Sequence, residues 1–266
     1  MADAPRICVI RVGGTNCDFE TKVALDELGA RSEIIHAKRL VRDRLLKRFD
    51  ALVIPGGFSY GDHIRAGAIL GRVTLSAMYG DLRSYLEEGR PILGICNGFQ
   101  VLVESGLLPG FDGSGRQEAA LALNVSGRYE CRWVYLRHDN IKRCIFTRKV
   151  GRGQVIRIPV AHAEGRFVLD REKENLKRLI KNDQIVFRYC DENGKYARGR
   201  YPLNPNGSLY DIAGICDPSG LVFGLMPHPE RAFYGVQLPD WTSEDVVPEY
   251  GDGRLIFKSL IEYLNG

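Results

Sequence analysis

Two short segments, far apart in the chain, hold side chains of the types that carry out nucleophilic chemistry. Residues 92–100 read Ile-Leu-Gly-Ile-Cys-Asn-Gly-Phe-Gln, and residues 221–230 read Leu-Val-Phe-Gly-Leu-Met-Pro-His-Pro-Glu. In the first, an apolar run ends at Gly94 and helix-forming residues follow Cys96. The pattern predicts a strand, a sharp turn and a helix, with the thiol at the bend. The positive end of a helix favours a thiolate. The N–H groups just after the cysteine have no helical partner and can donate to an oxyanion. A buried structural cysteine on a core strand would share this local sequence, because free cysteine is among the most buried residue types. In the second segment an apolar strand ends in His228-Pro229-Glu230. Side chains two apart on an extended segment point to the same side, and Pro229 stiffens that spacing. A carboxylate beside an imidazole can orient it and stabilise the imidazolium, as in a nucleophile–base–orienter triad. A solvated turn is the plainer alternative for the tripeptide alone. The two segments together favour one shared site, and Cys96 is expected to be the only cysteine at a strand exit ahead of a helix.

The elements that must position these residues alternate over the first 106 residues. Arg6–Val12, Ser32–His36, Ala51–Ile54 and Ile92–Ile95 read as strands. Between them lie predicted helices. The first is capped by Asn16 or Asp18 and runs to Leu28, with Gly29 placed to end it. The second covers Val41–Phe49, with Val41, Leu45, Leu46 and Phe49 on one stripe. The third covers roughly 66–88. This alternation predicts a doubly wound, flavodoxin-like α/β fold, a mostly parallel sheet with helices on both faces. Ligands bind such sheets beyond the carboxyl ends of the strands. Gly13-Gly14, Gly56-Gly57, Cys96 and His228 all fall at predicted strand exits. The second half adds short strands in an antiparallel region: Glu130–Leu136, Gln154–Val160, Gln184–Arg188, Tyr210–Ile215 and Val222–Met226. A helix closes the chain over residues 251–264. No Pro-, Ser- and Gly-rich linker divides the halves, so residues 1–266 are expected to form a single domain.

The 266 residues carry a net charge of +4, with 44% hydrophobic and 26% charged residues. That composition supports a proper core and argues against disorder. The basic excess is too small to argue for nucleic acid. The basic stretches Lys38–Arg48 and Lys142–Arg152 lack the interleaved aromatics of a stacking platform and read as solvated faces. Seven scattered cysteines without a C-x-x-C argue against a structural metal and for reduced thiols in the cytoplasm. No signal peptide and no membrane-length apolar run is apparent. Asn124-Val125-Ser126 and Asn206-Gly207-Ser208 match glycosylation sequons and read as chance. Neither G-x-G-x-x-G nor G-x-x-x-x-G-K-[ST] occurs, and G-x-S-x-G is absent too.

Gly-Ile-Cys-Asn-Gly-Phe-Gln at 94–100 with Pro-His-Pro-Glu at 227–230 resembles the class I, triad-type glutamine amidotransferases. The longer motifs resemble the branch that serves formylglycinamidine ribonucleotide synthesis in de novo purine biosynthesis. They are residues 12–18, 55–62, Cys131–Val134, 159–167, 204–208 and 226–231, so the resemblance spans nearly the whole chain. Two departures stand out. Ala163 takes the place of a glycine in the His-x-Glu-Gly segment, and the stretch from Phe233 to Gly251 is longer than in compact members.

The resemblance implies that the chain is a glutaminase hydrolysing L-glutamine to glutamate and ammonia. Cys96 would be the nucleophile, His228 the base and Glu230 its orienter. The N–H groups of Gly57 and Asn97 would form the oxyanion hole. Gln100 and the region of His162 would hold the amino-acid end of glutamine, although His162 also fits a purely structural role. No cofactor or metal is expected in this chain. Ammonia would pass to a synthetase subunit that holds ATP and magnesium, with a small bridging subunit between the two and no nucleic acid or membrane partner. Two other readings compete. One is a cysteine hydrolase or peptidase of the class related to DJ-1, on the same fold. The other is a non-enzymatic glutamine-sensing subunit. Gln100 and Glu230 argue against the former, and the presence of both Cys96 and His228 against the latter.

Overall fold

The computed structural model describes residues 4–141, 143–243 and 246–266, so Lys142 of the second basic stretch lies outside the described residues. Strand β1 is Arg6–Arg11, followed by helix α1 (Asp18–Glu27), β2 (Arg31–His36), α2 (Ala37–Arg42) and β3 (Ala51–Ile54). Then come α3 (Tyr79–Glu87), β4 (Ile92–Ile95) and α4 (Asn97–Glu104). The second half contains β5 (Ala119–Ala122), β6 (Glu130–His138), β7 (Val155–His162), β8 (Arg166–Leu169), α5 (Glu172–Lys181), β9 (Ile185–Cys190), β10 (Ile212–Cys216), β11 (Val222–Leu225) and α6 (Arg254–Leu264). Among the described residues nine strands form one sheet in the order β2-β1-β3-β4-β11-β10-β9-β6-β7, and β5 pairs with β8 apart from it. Neighbours from β2 to β11 run parallel, and those from β11 to β7 alternate. The expected doubly wound sheet with an antiparallel extension is therefore present.

Burial explains which strands were easy to read. Every residue of β3 and β4 is buried, as continuous apolar runs in a parallel sheet require. Strand β7 alternates between half-buried and buried positions, as a strand with one covered face does. Helix α4 packs unusually close to β3, and only glycine fits at the contact: a Cβ on Gly98 would lie 1.9 Å from the Ile54 carbonyl oxygen.

Three expectations are corrected. The cap of α1 is Cys17, not Asn16 or Asp18, and it makes no side-chain capping bond. Asp18 instead lies in the first turn, buried and paired with Arg11. The helix expected over Val41–Phe49 starts earlier, as α2, and ends where Arg44 takes a left-handed φ of 49°. Leu46 and Phe49 are still buried, so the apolar spacing marked contacts to the core rather than one continuous helix. The third predicted helix is broken at Met78 into a π-helical stretch, Leu70–Leu75, and α3. Among the described residues no helix is long and apolar enough to cross a membrane.

Candidate active site

Cys96 sits between β4 and α4 as the N-cap of the helix, with φ 50° and ψ −104°. A non-glycine residue in such a conformation costs about 1–3 kcal/mol and persists only where its surroundings hold it. Here its N–H donates to the Leu225 carbonyl at 2.8 Å, and its own carbonyl accepts from the N–H groups of Phe99 and Gln100 at 3.0 and 3.2 Å. The sheet on one side and the helix on the other thus fix the bend, and the residue is buried. The Cys96 Sγ lies 3.6 Å from the Ala161 carbonyl at the end of β7.

Gly57 follows β3 with φ +145°, a conformation that favours glycine. It faces Thr15 in an isolated antiparallel bridge. The hydrogen bonds of that bridge are made by its flanks, Phe58 N–H to the Gly14 carbonyl at 2.8 Å and Asn16 N–H to the Gly56 carbonyl at 3.4 Å. Among the described residues the Gly57 N–H therefore has no acceptor, and the Asn97 N–H, in the first turn of α4, has none either.

His228 is held above β11 by its N–H, which donates to the Pro159 carbonyl of β7 at 2.8 Å. Pro229–Ala232 forms a 3₁₀ turn, so Glu230 reaches the imidazole from a turn and not along an extended strand as expected. The contact is nonetheless short: His228 Nδ1 and Glu230 Oε1 are 2.5 Å apart. Both residues are buried, and among the described residues the His228 Nε2 and Glu230 Oε2 have no hydrogen-bond partner. Burial works against the imidazolium, yet Glu230 and then Cys96 outweigh it and hold the His228 pKa well above the ordinary value.

A second cysteine occupies the same place, which corrects the expectation that Cys96 alone stands at a strand exit ahead of a helix. Cys17 follows β1 and caps α1, and its Sγ lies 3.9 Å from His228 Nδ1. The Arg231 Nη2 donates to that sulfur at 3.2 Å. Burial pushes the Cys17 thiol pKa up, against the effect of His228. The signal was available, because Cys17 lies at the strand exit already marked by Gly13-Gly14.

Asn97, Gln100 and His162 form the frame around the thiol. The Asn97 Oδ1 accepts from the Ser59 N–H at 3.2 Å, and its Nδ2 donates to the Gln100 Oε1 at 2.9 Å. The Gln100 Nε2 donates in turn to the Glu164 carbonyl at 2.6 Å. Both ends of the Gln100 amide are thus bonded within the protein. His162 is buried, with Nδ1 at 3.2 Å from the Asn124 Oδ1 and Nε2 at 3.5 Å from the Asn206 Nδ2. Burial lowers its pKa to about 3, so the ring is neutral. Asn124 and Asn206, which matched sequons, are buried members of this network. Ala163 is accommodated, its carbonyl accepting from the Asn124 N–H at 2.8 Å. The long segment after Phe233 is closed by a bridge between Tyr234 and Tyr250. A cleft of about 30 Å³ is lined by Cys96, Gly57, His228, Tyr129 and Arg231 among others. That volume suits a single water better than a glutamine side chain.

A parallel sheet with a strained cysteine at one strand end and a buried His–Glu pair at the next is the arrangement of a triad-type glutamine amidotransferase. A family model described as a CobB/CobQ-like glutamine amidotransferase domain matches residues 4–264. The phosphoribosylformylglycinamidine synthase subunit PurQ of Archaeoglobus fulgidus is 48% identical, with 97% of each chain covered. That of Methanothrix thermoacetophila is 47% identical, with 97% of this chain and 98% of the other covered. The chain belongs to this PurQ family of glutamine amidotransferases. Among solved structures, a chain from the structure of PurLQS from Thermotoga maritima is similar at 35% identity and a TM-score of 0.72, covering 98% of this chain and 99% of that one. A putative GMP synthase subunit from Thermoplasma acidophilum, 16% identical with a TM-score of 0.56 and covering 100% of this chain and 96% of that one, shares the fold.

Proposed function

We propose that this chain is the glutaminase subunit of a phosphoribosylformylglycinamidine synthase, which hydrolyses L-glutamine and passes the ammonia to a synthetase partner making formylglycinamidine ribonucleotide. The observation that carries the mechanism is the buried His228–Glu230 contact at 2.5 Å beside a cleft that Cys96 also lines. His228 takes the proton of Cys96, whose sulfur attacks the side-chain amide carbon of glutamine. The N–H groups of Gly57 and Asn97 receive the developing oxyanion; pre-aimed donors of this kind contribute roughly 10²–10³-fold each. His228 then gives its proton to the departing nitrogen, and ammonia leaves a thioester on Cys96. A water activated by His228 attacks the thioester, glutamate leaves and the thiol is restored. Glu230 orients the ring and stabilises its charged form through both steps.

Gln100 and His162 serve the amino-acid end of glutamine through the segment they hold. Gln100 fixes the Glu164 backbone, and the ring of His162 is anchored by Asn124 and Asn206 behind it. ATP and magnesium belong to the synthetase partner in this reading, with a small bridging subunit completing the assembly. The likeness to a chain of the PurLQS structure supports such partners. The small cleft, flanked by the exposed rings of Phe58 and Tyr129, supports a site that opens fully only when the synthetase docks. The isolated chain is then a poor glutaminase, activated roughly 5–150-fold by a coupling of about 1–3 kcal/mol. In this reading the reaction takes place in the cytoplasm.

A test is to label the assembled complex with a glutamine-like electrophile and map the adduct by mass spectrometry. The adduct is expected on Cys96, with stoichiometric loss of glutamate release. An adduct on Cys17 with the same loss of activity would move the nucleophile to the other strand exit.

A further inference from the structure

Cys17 has no part in the proposed hydrolysis, yet it lies against the catalytic imidazole on the side turned to Glu230. The Cys17 sulfur, a His228 ring nitrogen and a Glu230 carboxylate oxygen all lie within 4.8 Å of one another. All three residues are buried, and among the described residues the second Glu230 oxygen, Oε2, has no hydrogen-bond partner. Thiolate, imidazole and carboxylate are the three donor types that zinc takes in proteins. They come from the exit of β1 and from the turn after β11, so no short Cys/His spacing in the sequence announces them.

We propose that Cys17, His228 and Glu230 form a site for a thiophilic divalent cation of the zinc class, and that occupancy of the site stops glutamine hydrolysis. The inhibitory consequence rests on the glutaminase reading; the binding site does not. Metal–ligand bonds of about 2.0–2.3 Å at tetrahedral angles put donor atoms about 3.3–3.6 Å apart. The sulfur and the ring nitrogen stand at 3.9 Å, so they need to close by a few tenths of an ångström. The nitrogen and the Glu230 Oε1, at 2.5 Å, need to open by roughly 1 Å, or the carboxylate turns its free Oε2 inward. The ion takes the place of the proton shared by His228 and Glu230, and binding releases that proton and the thiol proton. Arg231 must yield the sulfur; it is half-buried, and Glu20 stands 3.6 Å from its Nε as an alternative partner. The small cleft beside Cys96 leaves room for a water as fourth ligand. An imidazole whose Nδ1 binds the cation cannot become imidazolium, so it can neither accept the thiol proton nor protonate the leaving ammonia.

The experiment separates this site from ordinary metal capture by the nucleophile. Zinc chloride is titrated calorimetrically into the full chain carrying Cys96→Ala, and cobalt(II) is titrated in parallel to read thiolate-to-cobalt charge transfer. The Cys96→Ala chain is expected to bind one equivalent and show the band. Adding Cys17→Ser, or Cys17→Ala should serine disturb the buried position, is expected to remove the band and weaken zinc at least tenfold. Glu230→Gln in the Cys96→Ala background is expected to weaken it as well while the band persists at higher cobalt. In the assembled complex, the zinc concentration for half-inhibition is expected to rise at least tenfold for Cys17→Ser, relative to that variant's own uninhibited rate. A band lost with Cys96→Ala, or retained without Cys17, overturns the proposal. A complex without glutaminase activity would refute the functional reading, while the cobalt band would still decide the site.

Discussion

Replacing Gly56 by alanine adds one methyl group where the exit of β3 meets the imidazole of His228. A Cβ there would lie 2.7 Å from the His228 Cε1, 3.3 Å from its Nδ1 and 3.2 Å from the Cys17 Sγ. Carbon–carbon contacts settle near 3.5–4.0 Å, so the ring must retreat by roughly 1 Å. The φ of Gly56 lies outside the left-handed region, so the backbone itself accepts alanine and the strain falls on the site. A base displaced by about 1 Å costs on the order of 10²-fold, or about 2.7 kcal/mol of transition-state stabilisation. Overpacking adds a stability cost of about 1–3 kcal/mol. The assay is steady-state glutamate release by the assembled complex, with a thermal melt beside it. The expected result is a kcat near one-hundredth of the parent with KM changed far less. Gly13→Ala is the control, because among the described residues nothing lies within 4 Å of a Cβ there. A Gly56→Ala enzyme within threefold of the parent would refute the argument, as would an equal loss in Gly13→Ala.

Glu230→Gln is expected to lower kcat by roughly 10⁴-fold, as loss of the orienting carboxylate does in other triads, with glutamine binding nearly intact. The same change removes the main influence that raises the His228 pKa, so an NMR titration of that ring should move to lower pH; an unmoved titration counts against the pair. His162 predicts an acid sensitivity of the fold. Its pKa is depressed to about 3 in the native state against an ordinary 6.5, so its contribution is present above 6.5 and is lost as pH falls towards 3. Between pH 7 and pH 5 the loss from this group is about 2 kcal/mol. Denaturant titrations at both pH values should show that loss in the parent and a smaller one in His162→Gln; equal losses would remove His162 as the cause.

The parallel core was legible because its strands are buried on both faces and bounded by glycine, as at Ala51–Ile54 before Pro55 and Ile92–Ile95 before Cys96. The exits of those strands gave Gly57, Cys96 and His228, since a doubly wound sheet gathers its strand ends along one edge. The missed elements pack more locally. Strands β5 and β8 are four residues each and, among the described residues, pair only with one another, so neither carries an alternation long enough to recognise. Helix α5 was missed although Leu176, Leu179 and Ile180 mark a stripe, because its charged residues mask it within a strand-rich region. The expected cap of α1 failed because Asp18 is engaged by Arg11 and the turn closes on Cys17. Asn124 and Asn206 could not be read as partners of His162, since only the fold brings residues 38 and 44 positions away to its ring.

The central claim is that this chain supplies ammonia and a partner consumes it. Reconstituting the complex with Cys96→Ala, and assaying amidine formation with glutamine and then with bulk ammonia, tests it most directly. Glutamine-dependent synthesis should vanish, while ammonia-dependent synthesis should proceed at the rate of the parent complex. Retained synthesis from glutamine, or none from ammonia in a complex shown to be intact, would contradict the account.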